Sequence, residues 1–282
     1  MCLIDVRFTI DFVADDSRFN LITSRLSRSS RHHELKDFLD SKYEQYNTPA
    51  FIETDPVSIP HMFTSREDIE ISAFLTATIS WGLRKSILRN AENLMKMMDL
   101  APHQFIRSFT DPDLKPFRKF VHRTFNGDDC VFFLRSLQNI YLNHGGLQSC
   151  FVSGPVPGVK SRISAFRRIF LVLPHPPRLE KHIADPVRGA SCKRINMFLR
   201  WMVRDDGRGV DFGLWKPVSP AELICPLDIH SGIVARKLGL LERKANDWRS
   251  AVELTDALRK FDPADPVKYD YALFGLGVFE KF

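Results

Sequence analysis

Apolar residues recur at steps of three and four over almost the whole chain from Leu35 onward, and runs that alternate between polar and apolar residues are scarce. Such steps bring apolar side chains onto one face of an α-helix. The sequence Ser65-Arg-Glu-Asp68 also has the form of a capping box at a helix start. These patterns predict an all-α protein. Helices are predicted after Ser65, over residues 130–143, 161–173, 191–204, 229–240 and 248–261, and from Pro266 with Asp265 as its cap.

The 282 residues suffice for about two compact units. A composition of 44% hydrophobic and 26% charged residues is typical of a globular protein and excludes a disordered chain, a collagen-like fibre and a coiled-coil rod. Residues 1–33 end in a basic, Ser-rich stretch, which is typical of a linker or a poorly ordered extension. We therefore predict an N-terminal extension over residues 1–33 and a helical domain over residues 34–282.

The N-terminal segment does not have the pattern of a signal peptide, because Asp5, Arg7 and Asp11 interrupt its apolar residues. No stretch approaches the ~18 uncharged apolar residues of a membrane-spanning helix. The five cysteines show no Cys-x-x-Cys pair, which favours reduced and mostly buried thiols. We expect a soluble, cytoplasmic protein without contact to a membrane.

The positive charge is concentrated in one part of the chain. The formal net charge is +6, and residues 155–216 contain 13 Lys and Arg against five Asp and Glu. Binding of a polyanion explains this concentration, since each cation that pairs with a phosphate releases counterions. A solvated helical face explains it equally well, so charge alone leaves both interpretations open.

No metal site is legible among the nine histidines, which include no His-Glu-x-x-His pair. The segment Asp185–Gly189 has the composition of a tight turn before a helix whose apolar stripe includes Ile195 and Phe198. Backbone N–H groups in such a turn can bind a phosphate. An ordinary turn before an ordinary amphipathic helix is the alternative.

The segment Ile224-Cys-Pro-Leu-Asp-Ile-His230 opens a predicted helix that ends in Arg236-Lys-Leu-Gly-Leu240. It resembles the helix-hairpin-helix DNA glycosylase superfamily, in which a turn similar to Val-Asp-Thr-His opens a helix ending in Arg-Leu-Gly-Leu. The resemblance implies two helical subdomains that flank a cleft, with the hairpin and the catalytic turn within residues 185–241. It also implies that Asp228 is the catalytic carboxylate and that His230 contacts DNA. Without the resemblance, Asp228 is an ordinary N-cap.

The turn Asp185-Pro-Val-Arg-Gly189 takes the place of the superfamily's Leu-Pro-Gly-Val-Gly hairpin and matches it less well. Lys193 falls where bifunctional members carry a nucleophilic lysine, although its offset from the glycine is two residues longer. The 35-residue separation of Lys193 and Asp228 is similar to that in archaeal 8-oxoguanine glycosylases. The resemblance thus implies a nucleophilic Lys193, whereas a lysine that faces solvent or a phosphate is the alternative. It further implies three residues that contact DNA: Arg188, Gly189 and Arg194.

From Leu35 onward the chain is also similar to a bacterial family of unassigned function that is related to this superfamily. The four-cysteine iron–sulfur loop of some superfamily members is absent. The tracts that carry the similarity are residues 73–82, 193–202, 210–215 and 262–277.

Cleavage of an N-glycosidic bond places positive charge on the deoxyribose, and an ionised carboxylate stabilises that charge. A neutral lysine amine that attacks C1′ gives a Schiff base, after which strand cleavage can follow. The damaged base must be flipped out of the duplex and held by nearby side chains. Four residues are candidates for this base pocket: Trp81, Asp211, Phe212 and Trp215. The alternative is core packing for the three aromatic residues and an exposed loop carboxylate for Asp211.

Two functions follow from these expectations. The first is a DNA-repair glycosylase or abasic-site lyase with Lys193 as nucleophile and Asp228 as catalytic carboxylate. The second is a non-catalytic DNA-binding protein of the same fold, which recognises duplex or damaged DNA by shape and charge. Both take duplex DNA as partner, and for both we expect a monomer without metal or cofactor.

Overall fold

The computed structural model of the chain describes residues 28–152 and 158–282, and within them it contains helices and no β-strand. The prediction of an all-α protein is confirmed. The α-helices are α1 (Arg28–Tyr46), α2 (Pro49–Thr54), α3 (Arg66–Thr78), α4 (Arg84–Met97), α5 (Pro102–Ser108), α6 (Gly127–Asn143), α7 (Gly146–Val152), α8 (Val159–Phe170), α9 (Lys193–Val203), α10 (Ile229–Lys237), α11 (Trp248–Arg259) and α12 (Tyr269–Val278).

The N-terminal boundary differs from the prediction. Helix α1 begins at Arg28, so the last six residues of the predicted 1–33 extension are helical. Residues 1–27, on which the rest of that prediction falls, lie outside the described residues.

Helix α3 is enclosed by the core. It begins after Ser65, whose hydroxyl oxygen accepts the N–H of Asp68 as an N-cap. All residues from Ile69 to Thr78 are buried, because α4, α5 and α9 pack around the helix. The sequence predicts one apolar face here, but the tertiary packing covers the polar side of the helix as well.

The most extensive helix contacts fall into two groups. Helix α3 contacts α4, α5 and α9, and helices α5 to α8 pack on one another in chain order. Helix α12 contacts α1 and α10. One continuous hydrophobic core runs through both groups, so the two halves share their buried side chains. None of the described helices is long and apolar enough to span a bilayer.

The ends of the last helices show where sequence signals hold and where they fail. Helix α10 begins directly after Asp228, as predicted, and residues 206–226 form a loop with one short 3₁₀ turn. Helix α12 instead begins at Tyr269, after a 3₁₀ turn that starts at Pro266. Asp265 is not a side-chain cap, because its carboxylate accepts from Nε of Arg204 at 2.7 Å.

Candidate functional site

A cavity of about 560 Å³ brings together Lys193 at the start of α9 and Asp228 before α10. The two residues are 35 positions apart in the chain, so only the fold makes them neighbours of one cavity. The volume lies within the range of about 300–1,000 Å³ that is typical of small-molecule sites. Other lining residues come from the ends of α2, α4, α9 and α12 and from the loop before α4: Asp55, Trp81, Arg84, Arg200, Asp270 and Phe274.

Asp228 is half-buried and caps α10, as the sequence predicts. Its Oδ1 accepts the N–H of Ser231 at 2.9 Å, and the N–H of Asp228 donates to the Ser231 hydroxyl oxygen at 2.9 Å. A helix N-terminus stabilises a negative charge. The carboxylate is therefore held in one orientation at the cavity wall. Ile229 and His230 also line the cavity, and both are exposed.

Lys193 is the half-buried first residue of α9. The preceding residue, Cys192, has a φ of +53°, a left-handed conformation that turns the chain into the helix without a side-chain cap. Nζ of Lys193 lies 3.5 Å from Sδ of Met197, one helical turn further on. The amine is thus placed beside a soft apolar group at the cavity wall and forms no salt bridge with a described residue.

Trp81, one of the four predicted pocket residues, lines the cavity. The guanidinium of Arg194 lies 4.7 Å from the Trp81 ring centroid. The ring of His122 meets Trp81 edge-on at 4.9 Å, and its Nε2 lies 3.0 Å from the Trp81 carbonyl oxygen. These contacts fix the indole, so it can serve as a stacking surface without further ordering.

Arg194 does not fit the prediction of a phosphate contact. Its guanidinium donates to the carbonyl oxygens of Thr78 and, at 3.4 Å, of His182. Burial lowers the pKa of Arg194 to about 10. This guanidinium contacts backbone carbonyl oxygens and the Trp81 ring, so its role is to hold Trp81 in place.

Three of the four predicted pocket residues lie elsewhere. The Asp211 side chain is fully buried and pairs with Arg200 and Arg204, so it cannot reach a base edge. Trp215 is also fully buried, and its Nε1–H donates to a carboxylate in the core. Phe212 stacks on the ring of His61 at 4.3 Å and is not part of the cavity wall. These three side chains pack in or against the hydrophobic core and not in the cavity wall.

The turn before α9 also differs from the prediction. Gly189 has a φ of +88°, which favours glycine, but its N–H donates to the Pro186 carbonyl oxygen at 3.2 Å. The N–H groups of Val187 and Ala190 are bonded to Asp185. The turn therefore does not offer these N–H groups to a phosphate. Arg188 is exposed and lines a separate cleft of about 530 Å³ together with Lys181.

Sequence reasoning missed Asp55 and Asp270, two buried carboxyl groups that line the same cavity. Asp270 bonds to the Arg200 guanidinium, and burial raises the pKa of Asp270 to about 6 against the opposing effect of Arg200. Asp55 precedes a proline at the end of α2, and Asp270 lies within α12. Neither position carries a motif, because their place in the cavity depends on contacts between distant segments.

Much of the local excess of positive charge is neutralised inside the protein. Arg204 lies within 3.1 Å of carboxylate oxygens of Asp206, Asp211 and Asp265, and its side chain is 1% exposed. We expect Arg204→Ala to lower the free energy of unfolding by about 3–5 kcal/mol, because it removes the buried cation that Asp206, Asp211 and Asp265 share. Urea unfolding followed by circular dichroism measures this loss.

The control for that measurement is Arg135→Ala, which removes an exposed arginine that pairs with the exposed Asp111. An exposed ion pair contributes about 0–1 kcal/mol. Equal stability losses in the two variants would contradict a structural role for the buried network.

The four described cysteines are free and buried, as predicted: Cys130, Cys150, Cys192 and Cys225. Burial raises the pKa of each thiol, to about 12 for Cys150 and Cys192. Within residues 28–152 and 158–282, no group of three or more His, Cys, Asp or Glu side chains is arranged to hold a metal ion.

Comparison with protein families gives one match. Residues 55–279 match the family described as "Protein of unknown function (DUF2400)". Neither the search of curated proteins nor the search of solved structures gave a match. The matched stretch includes Asp55, Lys193, Asp228 and Asp270 and covers most of the chain. This chain therefore belongs to the DUF2400 family.

Proposed function

We propose that this protein is a DNA glycosylase or abasic-site lyase that binds a flipped-out nucleotide in the cavity, with Lys193 as nucleophile and Asp228 as catalytic carboxylate. The observation that carries the proposal is the presence of both side chains on the wall of one cavity of about 560 Å³. It agrees with the roles that the resemblance to helix-hairpin-helix DNA glycosylases implies for these two residues.

The proposed reaction uses the two groups in sequence. The amine of Lys193 attacks C1′ while the bond between C1′ and the base breaks, and the carboxylate of Asp228 stabilises the positive charge on the sugar. The same carboxylate accepts the proton that the attacking amine loses. Trp81, braced by Arg194, provides a stacking surface for the flipped base.

The test is an assay of duplexes that each contain one lesion (8-oxoguanine, uracil, a 7-methylguanine or an abasic site). We expect the wild-type protein to release at least one of these bases and to form a covalent adduct when borohydride reduces the Schiff base. Absence of both base release and adduct with every duplex would overturn the proposal.

A non-catalytic DNA-binding protein is the second candidate. The observation in its favour is the cleft of about 530 Å³ beside Arg188 and Lys181, whose exposed cations lie outside the catalytic cavity. Such cations contact phosphates without any base chemistry. This function predicts DNA binding that weakens as the salt concentration rises and that persists in the Asp228→Asn variant. Fluorescence anisotropy between 50 and 200 mM salt measures the binding of both proteins.

If DNA binding by the wild-type protein does not depend on the salt concentration, this result would argue against both DNA functions. Retained binding without base release or adduct would favour the second function over the first.

A further inference from the structure

Asp55 is a buried carboxyl group without a contacting counter-ion. Five acidic side chains are buried in the part of the chain that the structure describes, and four of them lie within salt-bridge distance of an arginine: Glu70, Asp129, Asp211 and Asp270. Asp55 is 7% exposed, and its Oδ1 accepts the N–H of Val57 at 3.0 Å. Its Oδ2 has no hydrogen-bond partner among the described residues.

A buried carboxylate without an adjacent opposite charge costs several kcal/mol, which protonation relieves. Phe51 and Pro56 stand next to Asp55 in the cavity lining and are apolar. Burial raises the pKa of Asp55, and the N–H of Val57 and the more distant charges of Arg200, Arg84 and Lys193 oppose that effect. The surroundings therefore make proton uptake easier for Asp55 than for an exposed carboxyl group.

Asp228 has a different environment in the same cavity, since it is half-buried and caps the nine-residue helix α10, whereas Asp55 is buried and caps only a three-residue 3₁₀ turn. Its carboxylate accepts an N–H at a helix N-terminus, where a negative charge is stabilised. The remaining ionisable groups of the lining are His230, which is exposed, Arg194, which is bonded to backbone carbonyls, and Asp270, which is bonded to Arg200. When two carboxyl groups of one site differ in burial and in the groups that contact them, they are suited to act as acid and as charged stabiliser.

Building on the proposed glycosylase activity, we propose that Asp55 is the general acid that protonates the departing base. The bond between C1′ and the base breaks with its electron pair going to the base, while the amine of Lys193 forms the new bond to C1′. Asp55 gives its proton to the base, so a neutral base leaves and a carboxylate remains. The amine proton goes to Asp228, which then releases it to water, and Asp55 takes up a proton from water before the next turnover.

The test compares base release with a step that needs no protonation of a departing base. An abasic site has already lost its base, so formation of the Schiff base with an abasic duplex does not require Asp55. We expect Asp55→Asn to slow single-turnover base release by about 10²–10⁴-fold, the usual contribution of a general acid. The same variant is expected to form the borohydride-trapped adduct with an abasic duplex at about the wild-type rate. Asparagine still accepts the N–H of Val57, which preserves the local structure.

The pH profile gives a second readout. Because only the protonated carboxyl donates, base release by the wild-type protein should fall as the pH rises through the pKa of Asp55. Asp55→Asn should lack this decline. Asp37→Asn, at an exposed position of α1, is the matched control and should behave as the wild-type protein in both assays.

Three results would overturn the inference. Equal losses of base release and abasic-site adduct in Asp55→Asn would show a role in binding or folding. Undiminished base release in that variant would show that no acid acts there. If the wild-type protein forms the abasic-site adduct but releases no base, its activity is that of a lyase alone and no departing base needs an acid. If it does neither, the proposed function itself is overturned.

Discussion

The Lys193→Gln variant is expected to form no borohydride-trapped adduct with any duplex. Glutamine keeps nearly the length and polarity of lysine but has no amine that could form a Schiff base. Lys193 lies at the first position of α9 and forms no salt bridge with a described residue, so the substitution should leave the fold intact. Gel electrophoresis of the reduced reaction measures the adduct, and thermal unfolding checks the fold.

Lys181→Gln is the matched control, because Lys181 is an exposed lysine outside the catalytic cavity. This variant should still form the adduct. Its affinity for DNA should fall by no more than the loss of one phosphate contact explains. An adduct that persists in Lys193→Gln would mean that another amine reacts and would contradict the assignment of the nucleophile. Base release without any adduct in the wild-type protein would indicate a monofunctional enzyme in which water attacks.

The second large effect is expected for Asp228→Asn, which should slow base release by about 10²–10³-fold, as loss of one charge-stabilising group does in other enzymes. Asparagine is as good an N-cap as aspartate, and its Oδ1 can still accept the N–H of Ser231. The substitution therefore removes the negative charge at the cavity wall and leaves the start of α10 in place. Single-turnover kinetics measure the rate, and anisotropy shows whether DNA binding persists.

Asp247→Asn is the matched control for this effect. Asp247 caps α11 in the same way, with its carboxylate accepting the N–H of Ser250 at 2.8 Å, and it does not line the cavity. It should have nearly the wild-type rate of base release. If both variants slow the reaction equally, the effect of Asp228→Asn is one of helix capping and not of catalysis.

The sequence predicted the local features of this protein well. The spacing of apolar residues predicted seven of the twelve α-helices that the structure describes, and the residue types at 226–231 predicted the start of α10 with Asp228 as its cap. Such features depend on side chains within one or two helical turns, so the nearby sequence contains the information they need. The burial of the described cysteines also followed from residue type.

Charged and aromatic residues were harder to place from sequence. Asp211 and Trp215 resembled pocket residues, yet both are buried, because Arg200, Arg204 and Glu70 provide their partners. A charged side chain is stable in the core only where an opposite charge or a hydrogen-bonding group meets it. Whether that happens depends on which segments the fold brings together.

The sequence by itself determined the helical fold class, the caps at Ser65 and Asp228 and the types of chemical group that the chain offers. Only the tertiary structure decided that Asp55, Lys193, Asp228 and Asp270, from four separate segments, line one cavity, and that Arg194 supports Trp81 there. The physical reason is distance along the chain. Helix periodicity and capping act over a few residues, whereas a cavity wall forms from segments that come together only when the whole hydrophobic core is packed.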